Sequence, residues 1–531
     1  MDSDTRELVD ATLHQNLSGA GLDPRYVRAE GDSLWARATD GSEAEVTDFV
    51  GGYGSLLLGH NDPEIVARAT ELLAARTPIH SQFSRRPEAD AVAGVLNTIA
   101  HRELGTSQTY YGVFANSGAE AVEAAVKHAE MDRGLRMQAR LTEIAEHTGR
   151  AREAAGQGAS ASAEALARYG VTATGDRAAD LEALLAAAEA RNAATAAAAP
   201  VILTLEGGFH GKLAGSVQLT YNPAFREPFG TLAAPARFVP VNAADAVRTA
   251  FESESAVLLD PVVDGDTVRV EEVPAPVFCA FFAEPIQGEG GIVPLTEEFA
   301  KEIAAVSAEF DCPVVVDEIQ SGSGRTGAFF AASHIGLKGD YITLAKSLAG
   351  GVAKLSVLLV AESRYRPEFE MVHSSTFARD GFSTLIALKT LEVMERDGGA
   401  VYRRAAERGE RLRGALESVR RDFPEAVADV RGKGLLLGLE LRDQSASPSE
   451  SIAGAQGADI LGYLVSGFLL HEHRVRVLPT GSASNTLRMQ PSVGISDERI
   501  DRLETGLRAV CAALRDADEA TLLGYLGTRT F

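Results

Sequence analysis

The sequence predicts an α/β protein: a large domain with a mainly parallel central sheet, followed by a smaller α/β C-terminal domain. Three observations carry this. Short β-branched runs alternate with helix-patterned stretches from Gly51 to about Ile335 and beyond. Those runs end in polar or small residues, as strands do when ligands collect at the carboxyl ends of a parallel sheet. From about Val372 the pattern changes, with long helical segments ahead of two further strands.

Taken in order, the opening "MDSDTRELVD" is acidic and polar, which does not fit a signal peptide. "APVILTLEG", "VFCAFFAEP", "CPVVVDE" and "YITLAK" read as buried strands, and "TEEFAKEIAAVSAEF" as a helix between two of them. Residues 131–199 stand apart, dominated by alanine, arginine and glutamate, with one Gly/Ser break near "GQGASAS". They predict a helical hairpin inserted into the large domain. It carries too few large apolar side chains for a core of its own. A narrow stripe around Leu181, Leu184 and Leu185 is therefore expected to pack on the parent domain or a partner subunit, covering the site entrance or extending a dimer contact. Beyond Val372 come the helical "STLIALKTLEVMER" and "YRRAAERGERLRGALESVRRDF", then the strands "DVRGKGLLLGLEL" and "NTLRMQP". The expected division is an N-terminal segment, 1–75, packing with the small domain; a large domain, 76–371; and the small domain, 372–531.

The bulk numbers exclude several function classes. At 531 residues, 45% hydrophobic and 24% charged, the chain has the composition of a globular protein with more than one domain. A formal charge of −23 argues against nucleic acid or an anionic membrane as partner. No stretch approaches the 18 or so apolar residues of a membrane span. Cys279, Cys312 and Cys511 make neither a metal spacing nor a disulfide framework, which suits a reducing cytoplasm, and no metal is expected.

Lysine is scarce: eight of the 51 basic residues, the rest being arginine. One of the eight, Lys346, closes the run "YITLAK" just before "SLAGG". A lysine amine can become neutral and nucleophilic, which a guanidinium cannot. Asp317 closes "CPVVVDE", where a buried carboxylate is costly unless a cation meets it. Together they point to an aldehyde cofactor bound as a Schiff base and tuned by a carboxylate. "NSGAEAVEAAVKHAE" supplies an anion site: Ser117 and Glu120 have capping-box spacing, and Gly118 lets the backbone approach closely. "EGGFHGK" offers Phe209 and His210 for stacking, while "EPIQGEGG" and "DEIQSGSGRTG" set polar side chains, Glu284 among them, between glycines.

The order NSGAEA, GGFHGK, EPIQGEGG, DEIQSGSGRTG, TLAKSLAGG, STF, RGKGLLLGLEL, LRMQP resembles that of the class III (omega) aminotransferases. The likeness extends to the opening "EGDSLWARATDGSEAEVTDFVGGYGSLLLGHNDPEI" and omits only residues 131–199. It implies fold type I, pyridoxal 5'-phosphate (PLP) as cofactor, and a homodimer with shared active sites. Lys346 matches the Schiff-base lysine and proton shuttle, Asp317 the partner of the pyridine nitrogen, and Gln320 the contact to the ring hydroxyl. Phe209 matches the stacking aromatic, Gly118 and Ala119 the phosphate turn, and Thr376 a threonine reaching the phosphate of the neighbouring subunit. Glu289 and Arg488 match a pair that switches between substrates: the arginine holds an α-carboxylate, and the glutamate masks it when an ω-amine binds. An amino acid or ω-amine is the substrate this implies.

The pattern also breaks. After "STF" the usual Gly-Gly-Asn-Pro is replaced by Ala378, Arg379, Asp380 and Gly381. After "LAGG" stands "VAKLSVLLV", which brings in Lys354, and Lys212 replaces a common arginine. Arg379 and Lys354 are thus candidates for holding an acidic or phosphorylated substrate. The same changes leave open a non-transaminating PLP enzyme: racemase, mutase, carbon–carbon or γ-substitution chemistry.

Overall fold

The computed structural model of the protein describes residues 8–80 and 84–531, so the acidic opening through residue 7 lies outside it. Seven strands form the central sheet: β1 (Tyr110–Ala115), β2 (Val201–Leu205), β3 (Ala236–Val239), β4 (Phe278–Ala283), β5 (Val314–Asp317), β6 (Tyr341–Leu344) and β7 (Ser356–Ala361). Their order is β1-β7-β6-β5-β4-β2-β3, and only β7 runs antiparallel to its neighbours. All six residues of β4, "FCAFFA", are buried, as a central parallel strand covered on both faces requires. The strands read from the sequence are present, and the sheet is largely parallel as expected.

The N-terminal strands Tyr26–Glu30, Ser33–Arg37 and Glu43–Asp48 make an antiparallel ribbon. Its fourth strand, Val475–Arg476, comes from the other end of the chain and pairs parallel to Glu43–Asp48. Val427–Lys433, Leu436–Leu441, Thr486–Met489 and Leu478–Pro479 form a separate antiparallel sheet. The helical stretch Gly381–Asp422, broken at Arg396–Gly399, packs on Pro87–Leu104 and Lys346–Ala349 of the large domain and on this sheet.

Residues 131–199 form two long helical arms, but the first is not a separate element. The helix that starts at Gly118 continues without interruption to Gly156, 39 residues. The returning helix, Arg177–Ala197, packs on it and on a hairpin, Val257–Asp264 with Thr267–Pro274, that the sequence reading did not identify. A third strand, Ser160–Ala161, pairs with that hairpin. The expectation that the insertion lacks a core of its own needs correction. Leu181 and Leu185 are fully buried with Ala151, Ala159 and Val268, and Leu184 with Ala165 and Leu166. The hairpin, about 60 residues further along the chain, adds Val268 and, at the edge, Val270.

Candidate active site

The carboxyl ends of β5 and β6 and the amino end of the Gly118 helix meet at one cavity of about 510 Å³. Nine of the ten residues expected around a cofactor line it: Ser117, Gly118, Ala119, Phe209, His210, Glu284, Asp317, Gln320 and Lys346. The tenth, Thr376, does not. It is exposed on a turn, and its neighbour Ser375 is the residue that accepts from Asn116 Nδ2 at the cavity wall, 3.0 Å.

The Gly118 helix begins with a complete capping box. Ser117 Oγ accepts from Glu120 N (3.4 Å), and Glu120 Oε2 accepts from Ser117 N (2.7 Å). Gly118 has no room for a side chain, since a Cβ would sit 2.9 Å from Ile319 Cγ2. The turn therefore packs directly on the segment following Asp317, leaving first-turn N–H groups for an anion.

Asp317 is 3% exposed and richly bonded. Its Oδ1 accepts from Thr343 Oγ1 (3.0 Å) and Ile319 N (3.1 Å), while Oδ2 lies 2.7 Å from His210 Nδ1. Burial works against a charge on His210, but the Asp317 hydrogen bond and charge outweigh it and raise the pKa. The adjacent Glu318 points elsewhere: it accepts from Ala332 N and Ser321 Oγ, both at 2.7 Å, and burial pushes it up to about 7. Side-chain direction thus separates two neighbouring acids in "VVVDE". Glu284 accepts from Phe209 N (2.9 Å) and Gly288 N (3.0 Å), and burial raises its pKa, with the charge of Asp317 adding.

Lys346 adopts φ 50°, a left-handed conformation that costs a non-glycine residue about 1–2 kcal/mol. The next residue anchors it, as Ser347 Oγ donates to Gly54 O at 2.7 Å. Burial lowers the pKa of Lys346 to about 8, with Arg488 pushing the same way and Glu289, Asp317 and Glu284 opposing.

Glu289 and Arg488 form an ion pair beside this cavity. Arg488 is 1% exposed, its guanidinium lies 4.8 Å from the centre of the Tyr53 ring, and its Nε has no hydrogen-bond partner. Glu289 also accepts from Gly481 N at 2.7 Å. Burial would raise its pKa, but the charge and hydrogen bond of Arg488 prevail and lower it. Gln320 donates from Nε2 to Gln490 Oε1 at 3.3 Å, a partner the sequence reading did not identify. Ser55 of the N-terminal segment also lines the cavity unforeseen; the run of positive-φ glycines at Gly51, Gly52 and Gly54 was the available signal.

Arg379 is exposed at φ 53° on the turn leading into the Gly381 helix and does not line the cavity. That turn is tied outward, with Gly381 N donating to Ile79 O at 2.9 Å. Lys354 and Lys212 do line the cavity.

The structure is similar to that of ornithine aminotransferase from Toxoplasma gondii, crystallised with partial occupancy of PLP at its active site. The TM-score is 0.63 at 21% identity, covering 93% of this chain and 91% of that one. A transaminase from the marine bacterium Virgibacillus gives TM-score 0.66 at 19% identity, covering 93% and 94%. Adenosylmethionine-8-amino-7-oxononanoate aminotransferase from Methanocaldococcus jannaschii gives 0.65 at 20%, covering 93% of each chain. These likenesses establish the fold. Residues 22–511 match the sequence profile of the class-III aminotransferases, and the protein is accordingly a member of that PLP-dependent enzyme family.

Proposed function

We propose that the protein is an aminotransferase acting on an amino acid or ω-amine, with Lys346 as its reactive amine. One observation carries the reading: Lys346, Asp317 and the capped start of the Gly118 helix converge on a single cavity. The residues fit PLP. A carboxylate backed by His210 would meet a ring cation, the first-turn N–H groups would hold a phosphate, and Phe209 would supply an aromatic face. Bound there, the cofactor supplies an aldehyde for amine capture and a ring that withdraws electrons.

The chain's own residues do the rest. Asp317 would accept the N–H of a protonated ring nitrogen, and His210 stabilises that carboxylate from behind. Gln320 would meet the ring hydroxyl, and Ser117, Gly118 and Ala119 would hold the phosphate. Lys346 Nζ, brought to a pKa of about 8, is available as a neutral base to take and return the proton of the amine-bearing carbon. Arg488 receives a carboxylate when Glu289 swings away, and Glu289 masks its charge when an ω-amine binds. Thr376, exposed here, serves the site of a second copy in a homodimer. The three free cysteines, all buried, support a reducing cytoplasmic setting.

The test adds amino donors singly to the holoenzyme and quantifies pyridoxamine 5'-phosphate after acid precipitation. Stoichiometric formation with at least one donor is expected. A spectral change with every active donor, yet no pyridoxamine 5'-phosphate, would assign the chain to non-transaminating chemistry.

A further inference from the structure

The loop between Asp48 and His60 bears on the residue next to Lys346, and it is costly to hold. Gly51, Gly52, Gly54 and Gly59 all have positive φ, and so does Tyr53, at φ 56°, where a side chain is strained. Yet the loop touches the site at several points. Ser347, the residue after Lys346, donates from Oγ to Gly54 O at 2.7 Å, and Gln320 Nε2 donates to Tyr53 O at 3.5 Å. Ser55 lines the cavity, and Leu56 packs so closely on Gly351 that a Cβ there would lie 2.4 Å from Leu56 Cδ2. The loop is closed at its two ends by one carboxylate. Asp48, 2% exposed, has three partners: Oδ1 accepts from Val50 N (3.0 Å) and Arg476 Nη1 (2.9 Å), and Oδ2 lies 2.9 Å from His60 Nε2. His60 is pinned in turn, since its backbone exchanges two hydrogen bonds with Gly31. Arg476 stands opposite Asp48 in the parallel pair of strands. Burial would raise the pKa of Asp48, but the His60 hydrogen bond and the charge of Arg476 prevail and lower it.

We propose that Asp48 is a positioning residue for Lys346: with His60 and Arg476 it clasps the loop's two ends, and the clasped loop, through Gly54 and Ser347, holds Lys346 in its left-handed conformation and away from water. The inference deepens the aminotransferase reading and rests on Lys346 as its reactive amine. Folding alone does not ask for this arrangement. A buried ion pair is commonly no more stabilising than apolar packing of the same volume, and a loop rich in left-handed glycines gains entropy whenever its ends part. What the clasp secures is local. The bond from Ser347 fixes the residue after a strained φ of 50°, beside an amine whose pKa burial lowers to about 8.

The experiment measures the rate at which cofactor-free, full-length protein captures pyridoxal across pH, with Lys346→Ala as the background. The parent should rise through about pH 8. Asp48→Ala should move the midpoint up by about one pH unit, toward the ordinary lysine value, because a parted loop admits water to the amine. The charged neighbours of Lys346, which are Glu289, Arg488, Asp317 and Glu284, stay in place. Direct loss of the Asp48 charge would act in the opposite sense, so a rise reports water and not a missing anion. Asp48→Asn, which keeps an acceptor for Val50 N and Arg476, should shift the midpoint less than Asp48→Ala. Ser347→Ala should move it the same way as Asp48→Ala, and the double variant no further than the larger single shift, since both act along one path. Lower stability in denaturant with the midpoint unchanged or lowered, in Asp48→Ala or, should that variant not fold, in His60→Ala, would overturn the inference and leave the Lys346 reading standing. If the parent captures pyridoxal no faster than Lys346→Ala, both readings fall.

Discussion

The cofactor cavity and the annexe built from residues 131–199 and the hairpin Val257–Pro274 treat buried polar groups in opposite ways. In the annexe the buried polar side chains near the hairpin are satisfied within it. Asn192 donates to Leu259 O (2.8 Å) and accepts from Leu259 N (2.7 Å), closing the free edge of a strand. Asp180 accepts from Thr174 N and Oγ1, both at 2.7 Å, and the Arg152 pairs with Glu182 and Glu189 stay in solvent. The cavity and the ion pair beside it instead gather Asp317, His210, Glu284, Lys346, Glu289 and Arg488, hold Lys346 in a strained conformation, and shift the pKa of several of them. Burial alone explains the annexe. It does not explain the cavity, where the arrangement is unfavourable for folding and is retained for chemistry.

The largest expected effect comes from removing the reactive amine. Lys346→Ala should abolish turnover while PLP still binds noncovalently, because the phosphate turn, Asp317 and Phe209 remain. Mass spectrometry after borohydride reduction should then find no cofactor on any lysine; cofactor on Lys354 with retained turnover would refute the assignment.

Asp317→Asn comes next. It removes the negative partner of both His210 and the ring nitrogen, so turnover should fall at least about 10²-fold, roughly 3 kcal/mol of transition-state stabilisation. Activity within a few-fold of the parent would reduce Asp317 to a structural role.

A pH profile sharpens the contrast from the parent protein itself. Because burial lowers the pKa of Lys346 to about 8, its neutral amine appears above that pH, well below the ordinary lysine range. The rate at which cofactor-free protein captures pyridoxal should therefore rise through about pH 8. The sign for folding follows: below pH 8 the buried ammonium opposes the fold, and this penalty lifts as pH increases. A rise only near the ordinary lysine value would mean Lys346 is not desolvated.

The smallest effect on catalysis belongs to the annexe. Leu184→Ala should cost about 2–4 kcal/mol in denaturant unfolding, with turnover per folded molecule unchanged. Replacing 135–197 by a short Gly-Ser link would uncover Val268 and Val270 of the hairpin, so loss of solubility is expected unless the hairpin is shortened too. In the shortened pair, loss of cofactor absorbance from a folded protein would join the two regions that the structure keeps apart.

The sequence by itself determined four of the seven strands of the central sheet, the capping box at Ser117, nine residues that line one cavity, and the family. Each depends on local information: β-branched runs, an S-x-x-E spacing, or motifs whose chemistry tolerates little substitution. The tertiary structure alone decided what depends on contacts far apart in the chain. It paired Val475–Arg476 with the N-terminal ribbon, gave Gln320 its partner Gln490, and turned Asp317 but not Glu318 toward the cavity. It also completed the annexe's core with Val268 from a hairpin about 60 residues away, and left Arg379 outside the cavity that Lys212 and Lys354 line. A side chain's direction and its non-local neighbours are set by packing and by where the backbone's hydrogen bonds close, and neither is written in composition or spacing.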